Sequence, residues 1–388
     1  MINFSTSNIP IATLPRMWQL LSGLFTHQSS GNLWCYPGQK AVFLSRGAWG
    51  ISEAVKEILK FRKKTHGIVF LPDYFCNQAL LPLRLLPVQL VFYPITEQLN
   101  PDWPLVDELV SQYGSPDIFI LVHYFGFHGE IQQVVQFCKK NGSELLEDCA
   151  HVLIPFGEIG KHSWASVFSP YKLLAIPKMG ILVVSEKIEL SDSICKKVDI
   201  EIFKWIAKRL LQSFLVSCKI PLRLGKMMPF ELDAVASFEE NHSINIFSLR
   251  LLKILESELE RYKTIRRTYY KILEDQLSSI SDDIARPLFS LTSRDVTPYL
   301  FPVRIHEKII KDVYYRLIKA GILAQTWPDL PPEVKESDSQ HEAALKLRRS
   351  ILTLPIHQSL SEEQIKYIGH NLCKAIVKQT PFLSADGR

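Results

Sequence analysis

Short apolar runs alternate with longer amphipathic stretches from residue 41 to residue 190, and no other feature restricts the fold as much. Apolar runs bounded by turn residues read as strands, and the amphipathic stretches between them as crossover helices of an α/β sheet. Ala41-Val42-Phe43-Leu44 is the first such strand. Ser45-Arg46-Gly47-Ala48 then turns into a helix reaching about Phe61, with Ile51, Val55, Ile58 and Leu59 on one face. Ile68-Val69-Phe70-Leu71 is a second strand, stopped by Pro72; Val88 to Tyr93 is a third and Ile118 to Val122 a fourth. A helix over about 130 to 140 leads to the strand Glu144 to Glu147. Val167-Phe168 and Ile181 to Val184 then flank a loop, as the arms of a hairpin or as neighbouring strands.

The rest of the chain follows a different pattern. Residues 196 to 228 form a basic amphipathic helix: Lys196, Lys197, Lys204, Lys208, Arg209, Lys219, Arg223 and Lys226 face only Asp199 and Glu201 as acids, among Ile200, Ile202, Phe203, Trp205, Leu211 and Phe214. Packing on the core or on a second subunit is one reading of its apolar stripe. Contact with an anionic membrane or a polyanionic substrate is the other. A long helix is expected from about Ser243 to Leu277, a strand over Tyr299 to Ile305, and a helix over Asp312 to Ala320 stopped by Gly321. Pro328 to Ser339 reads as a polar loop, Ile351 to Leu354 as a last strand, and Ser361 to Val377 as a last helix with a Ser361/Gln364 capping box.

At 388 residues the chain exceeds what one compact core usually covers. The expected organisation is an N-terminal segment (1–40) packing on the small domain, a large α/β domain (41–235, with the basic insertion 196–228), and a linking helix with a small α+β domain (236–388). A composition of 47% hydrophobic and 22% charged residues is that of a globular protein. No apolar run reaches the roughly 20 residues that span a bilayer, and Met1 to Pro15 lacks a secretory pattern. Seven cysteines without metal-ligand spacing read as reduced thiols in a cytoplasmic protein. The net charge of +5, with no accompanying motif, does not argue for nucleic acid.

The chemistry lies in a carboxylate followed by a lysine. Glu147-Asp148 closes the apolar run Leu145-Leu146, and Lys172 follows 24 residues after Asp148 in Phe168-Ser169-Pro170-Tyr171-Lys172. An enzyme using pyridoxal phosphate needs a lysine to hold the aldehyde as a Schiff base. It also needs a carboxylate to keep the pyridine nitrogen protonated. A lone lysine would signify nothing; the order, the spacing and the strand-end placement of both residues carry the signal. His123 and His128 lie five apart across a glycine with no third ligand at fixed spacing, so no metal is expected. Cys149 reads as a small core residue.

Several motifs together resemble the DegT/DnrJ/EryC1/StrS family, sugar aminotransferases of the aspartate aminotransferase fold (fold type I). Leu71-Pro72-Asp73-Tyr74 is similar to its proline-aromatic strand end, and Val122-His123-Tyr124-Phe125-Gly126 to its "VHxxG" segment. Glu147-Asp148-Cys149-Ala150-His151 resembles "EDxAQ/H", Phe168 to Lys172 followed by Gly180 the lysine loop, and Leu354-Pro355-Ile356-His357 "LPxH". The family's "SGT" phosphate turn is here Ser45-Arg46-Gly47, Val167 stands where a serine is usual, and the subunit-crossing asparagine motif is not recognisable near Pro229-Phe230-Glu231.

The resemblance implies pyridoxal 5'-phosphate as cofactor, with Lys172 as its covalent anchor and proton carrier and Asp148 on the ring nitrogen. It implies His151 beside the phenolic oxygen or over the ring. Gly47 and Ala48, at a strand-to-helix turn, would receive the phosphate, with Ser169 donating a hydroxyl; Tyr74 or Phe75 would either stack on the ring or belong to the core. It also implies a homodimer, an amino-acid donor such as glutamate, and a keto group of a nucleotide-linked sugar as acceptor. Other pyridoxal phosphate chemistry, an inactive scaffold docking through the basic helix, and an enzyme of lipid-linked glycans at a membrane are the competing expectations.

Overall fold

The computed structural model describes residues 6–7, 9–10, 12–192, 194–195, 200–218, 220, 222–223, 230, 241–327, 329–337 and 339–379. The flanking parts of the basic stretch, including Lys196, Lys197, Asp199, Lys219 and Lys226, lie outside them, as do Pro229 and Glu231.

A seven-stranded mixed sheet forms the centre of the chain. Its strands are β1 (Gln39–Leu44), β2 (Gly67–Pro72), β3 (Val88–Tyr93), β4 (Ile118–Val122), β5 (Glu144–Cys149), β6 (Ala165–Phe168) and β7 (Gly180–Ser185), in the order β1-β7-β6-β5-β4-β2-β3. Neighbours from β3 to β6 run parallel, whereas β7 is antiparallel to both β1 and β6. Ile118–Val122 is buried throughout, as expected of a parallel strand covered on both faces. The arms around the lysine loop are indeed a hairpin, β6–β7. Because β7 alone runs the other way, the carboxyl ends of β1, β2, β4, β5 and β6 and the start of β7 meet at one edge. That is where an open α/β sheet binds ligands.

The described helices are α1 (Met17–Ser22), α2 (Gly47–Phe61), α3 (Trp103–Tyr113), α4 (Ile131–Asn141), α5 (Ile200–Ser217), α6 (Ile246–Glu256), α7 (Leu259–Leu277), α8 (Glu307–Lys319), α9 (Pro332–Glu336), α10 (Glu342–Ser350) and α11 (Glu362–Val377). Two expectations change. The single helix over 243–277 is divided at Ser257-Glu258, because α6 packs on α1 whereas α7 packs on α11. The polar loop 328–339 contains the short helix α9, opened by a proline at its first turn and tied to the large domain by Arg84–Glu333 at 2.8 Å.

The C-terminal part builds an antiparallel sheet of β8 (Ala285–Pro287), β9 (Phe301–Ile305) and β10 (Ile351–Leu354) against α7, α8 and α10, with α11 packed on α7 and α8. The Ser361/Gln364 capping box of α11 forms as expected. Near the N-terminus the Leu14 N–H donates to Ser359 Oγ at 2.8 Å, and His357 Nε2 lies 2.9 Å from the Pro10 carbonyl. No described helix is long and apolar enough to cross a membrane.

Candidate active site at the carboxyl edge of the sheet

The turn after β1 is built by close approach. Arg46 has extended backbone (φ −150°), and α2 starts at Gly47. A Cβ on Gly47 would stand 2.4 Å from Ser169 Oγ, and one on Gly50 2.9 Å from Val167 Cγ1. The first turn of α2 therefore rests directly on the end of β6. Gly180 closes the other side: a Cβ there would fall 2.4 Å from the Arg46 carbonyl atoms and 2.6 Å from Gly47 N. Val167, where the family has a serine, fills the contact with Gly50. A hydroxyl is offered instead by Ser169, which is buried and whose Oγ makes no hydrogen bond among the described residues, while its carbonyl accepts Lys172 N–H at 3.0 Å. Gly47, Ala48 and Ser169 thus present free helix N–H groups and an unused hydroxyl together, the donor set an anion needs.

Asp148 ends β5, is largely buried, and accepts one hydrogen bond, from Ala150 N–H at 2.9 Å. Burial raises its pKa above the usual carboxylate range, although Lys172, that N–H and His123 pull it back. Burial acts on Lys172 in the opposite sense, towards loss of the proton. The phenols of Tyr171 and Tyr299, Asp148 and Cys76 outweigh it, and the ammonium titrates above an ordinary lysine. Among the described residues Lys172 Nζ makes neither a hydrogen bond nor an ion pair. A buried carboxylate and a half-buried amine thus influence one another without touching, and a group with a basic ring nitrogen at one end and an aldehyde at the other suits both.

Behind this pair sits a fixed scaffold. His123 Nδ1 accepts from Gly129 N–H at 3.0 Å, so Nε2 carries the proton and donates to Glu147 at 2.8 Å. Glu147 also receives Gly160 N–H at 3.0 Å. His123, Glu147 and Cys149 place one ligand atom each within 4.8 Å of one another. The His123 and Glu147 atoms are engaged with one another, and burial followed by the charges of Glu147 and Asp148 pushes the Cys149 thiol far above its usual pKa. His128 is exposed and faces away.

His151 accepts Phe125 N–H on Nδ1 at 3.2 Å and stacks between Phe125 and Tyr299, with centroids at 5.8 and 4.7 Å. Burial, with Lys172 adding to it, keeps this imidazole neutral. Tyr74 is placed differently from a ring-stacking residue. It is fully buried, with Trp327 stacked on it at 4.4 Å, while Phe75 is buried alongside. The residue of this segment in electrostatic reach of Lys172 and Asp148 is Cys76.

Two residues escaped the sequence reading. Tyr299 arrives from the small domain, held by its N–H to the Phe125 carbonyl at 2.8 Å. Arg266 is fully buried in α7 and donates to the carbonyls of Tyr299 (2.8 Å) and Leu173 (2.9 Å) and to Gln358 (2.9 Å). Gln358 and Thr13 also donate to the Leu173 carbonyl, so three separate segments hold the backbone next to Lys172. A signal was present: Arg266 occupies an apolar-stripe position between Tyr262 and Tyr270. A charge there must find buried partners.

Asp73, at the end of β2, lies with Oδ2 3.0 Å from His341 Nδ1, joining the two domains beside the Asn77–Asp329 hydrogen bond (3.1 Å). Burial raises the Asp73 carboxyl from 3.8 to about 6, against the pull of His341 and the N–H groups of Tyr74 and Ile95. The folded state therefore binds the proton more tightly than the unfolded chain, and stability falls as pH rises from about 4 to about 6. Asp73→Asn should exceed the wild type in stability by up to about 3 kcal/mol at pH 7. That advantage should vanish as pH drops towards 4. Urea unfolding of both proteins across this window checks it; a difference independent of pH contradicts it.

The seven-stranded mixed sheet, with a three-stranded antiparallel sheet and its helices C-terminal to it, has the fold of pyridoxal phosphate-dependent aminotransferases. Helicobacter pylori PseC, an aminotransferase involved in the biosynthesis of pseudoaminic acid, superposes with a TM-score of 0.67 at 19% identity, covering 97% of this chain and 99% of that one. NtdA from Bacillus subtilis, solved with bound PMP, gives 0.69 at 16% identity over 97% and 87% of the two chains. In sequence, a UDP-4-amino-4,6-dideoxy-N-acetyl-beta-L-altrosamine transaminase of Helicobacter pylori (strain ATCC 700392 / 26695) is 23% identical over 297 residues, 73% of this chain and 72% of that protein. Residues 83–196 match the DegT/DnrJ/EryC1/StrS aminotransferase family, the family that the motifs resemble.

Proposed function

We propose that the chain is a pyridoxal phosphate-dependent aminotransferase that moves an amino group from an amino-acid donor to a keto group of a nucleotide-linked sugar. One observation carries this reading: half-buried Lys172 and buried Asp148 lie in electrostatic reach of one another, and no ion pair joins them among the described residues. The bound cofactor would supply an electron-accepting ring for the carbanion formed at the substrate carbon. Asp148 would hold a proton on the ring nitrogen, and a cation there would offset the burial that now raises its pKa. Gly47, Ala48 and Ser169 would hold the phosphate. Lys172 Nζ, once displaced by the incoming amine, would take the proton from the substrate carbon and return it. Neutral His151, set between Phe125 and Tyr299, would orient the ring from one side.

The sugar acceptor is supported by the UDP-sugar transaminase that this chain resembles over most of its length. Seven free cysteines fit a reducing, cytoplasmic setting. A homodimer completes the reading, since the edge bearing the site is the one this fold shares about a two-fold axis. The test is to incubate the purified protein with pyridoxal phosphate, glutamate and a panel of nucleotide-linked keto sugars, following amine gain by mass spectrometry. Amination of a sugar nucleotide supports the proposal. A yellow protein that glutamate bleaches but that aminates no sugar overturns the acceptor. A protein without a cofactor band favours an inactive scaffold.

A further inference from the structure

The exposed apolar surface is concentrated in one place. Ten of the sixteen exposed large apolar side chains among the described residues lie on two segments: Met17, Trp18, Leu21, Leu24 and Phe25 at α1, and Ile200, Phe203, Leu211, Phe214 and Ile220 at α5. Met17, Trp18 and Leu21 share one outward side of α1, followed by Leu24 and Phe25, and Ile200, Phe203, Leu211 and Phe214 share one outward stripe of α5, while Gln19 and Leu20 of α1 and Ile202 of α5 turn inward. The segments adjoin, since Ser213 Oγ of α5 donates to the carbonyl of Pro15, just before α1, at 3.3 Å. Phe25 is 87% exposed, Met17 66% and Phe214 61%, an arrangement that water disfavours.

Charge identifies the occupant. Residues 196–228 contain eight basic and two acidic residues, a net +6, so the rest of the chain is close to neutral against its total of +5. Lys204 and Lys208 stand exposed beside the apolar stripe of α5, with Glu201 paired to Lys204 at 2.9 Å. A second copy meeting this face about a two-fold axis would bring Lys204, Lys208 and Arg209 of α5 against their duplicates, with Glu201 as the described acid of α5 to offset them. An anionic bilayer accepts both features: aromatic and aliphatic side chains enter the headgroup region while lysines stay at its charged surface.

We infer that α1 and α5 together form a peripheral docking face for an anionic lipid bilayer. The chain then works at a membrane surface without spanning it. The inference stands independently of the aminotransferase reading.

Flotation of the full chain with phosphatidylserine/phosphatidylcholine vesicles and with phosphatidylcholine alone tests it, beside light scattering and thermal unfolding. Binding to the anionic vesicles at low salt, lost at high salt, is the expected result. Lys204→Gln with Lys208→Gln should weaken it roughly 25-fold, about fivefold per charge. Trp18→Ser with Phe25→Ser and Phe214→Ser should abolish it with unfolding temperature and molecular mass unchanged. Failure of the wild type to float overturns the inference. So does a wild-type dimer that these serine substitutions convert to monomer, which would make the face a contact between copies.

Discussion

Lys172→Ala should remove the yellow absorbance band that the wild-type protein acquires with pyridoxal phosphate, and lower amino transfer by at least about 10⁴-fold. The side chain is assigned both covalent attachment and movement of the substrate proton, so no neighbour replaces it. Tyr171, Tyr299 and Cys76 lie in electrostatic reach of it, but phenols and a thiol are poor substitutes for an amine. Borohydride distinguishes the two proteins. Wild type treated with cofactor should retain it through denaturation, while the variant should release it. Because α2, Ser169 and Asp148 remain in place, the variant should still bind pyridoxal phosphate non-covalently, and its thermal midpoint should rise on addition of the cofactor. A band of undiminished intensity in the variant would exclude Lys172 as the anchor.

Gly126→Ala should cost about 3 kcal/mol, because positive-φ strain adds to overpacking. Gly126 sits at φ +92°, and a Cβ there would lie 2.3 Å from the Thr297 carbonyl oxygen and 3.1 Å from that of His151. Both obstacles are backbone, so no rotamer change relieves them. The segment that must retreat is the one carrying Tyr299, whose N–H bonds the Phe125 carbonyl and whose ring covers His151. Activity should therefore fall further than stability alone accounts for. Urea unfolding gives the first quantity. Fluorescence-monitored affinity for pyridoxal phosphate gives a second, since His151 loses one wall of its stack. A variant as stable as wild type would mean that the 124–126 turn does not bind the small domain as described.

Much of the site was legible because its parts are local. The apolar run ending in Glu147-Asp148, and the Ser169 to Lys172 turn between two short strands, need only strand periodicity and turn chemistry to be placed. Gly47 was legible as a strand-to-helix turn, although its reason is tertiary: Ser169 Oγ leaves no room for a Cβ. Tyr74 shows the limit. Its position after Pro72 suggested a residue stacking on the cofactor, yet Trp327, more than 250 residues later, occupies that face of its ring.

Legible in the amino-acid order alone were the alternation of strands and helices, the spacing of the carboxylate and the lysine, and the concentration of positive charge in residues 196–228. Each follows from periodicity, composition or short-range spacing, which act along the chain. Tertiary structure alone decided which distant residues close the site. Tyr299 reaches His151, and Arg266, Gln358 and Thr13 converge on the Leu173 carbonyl. The division of the linking helix at Ser257 belongs to the same class, since it serves two domains at once. Buried polar groups must be satisfied by whatever the fold brings near, and no local pattern encodes that neighbour.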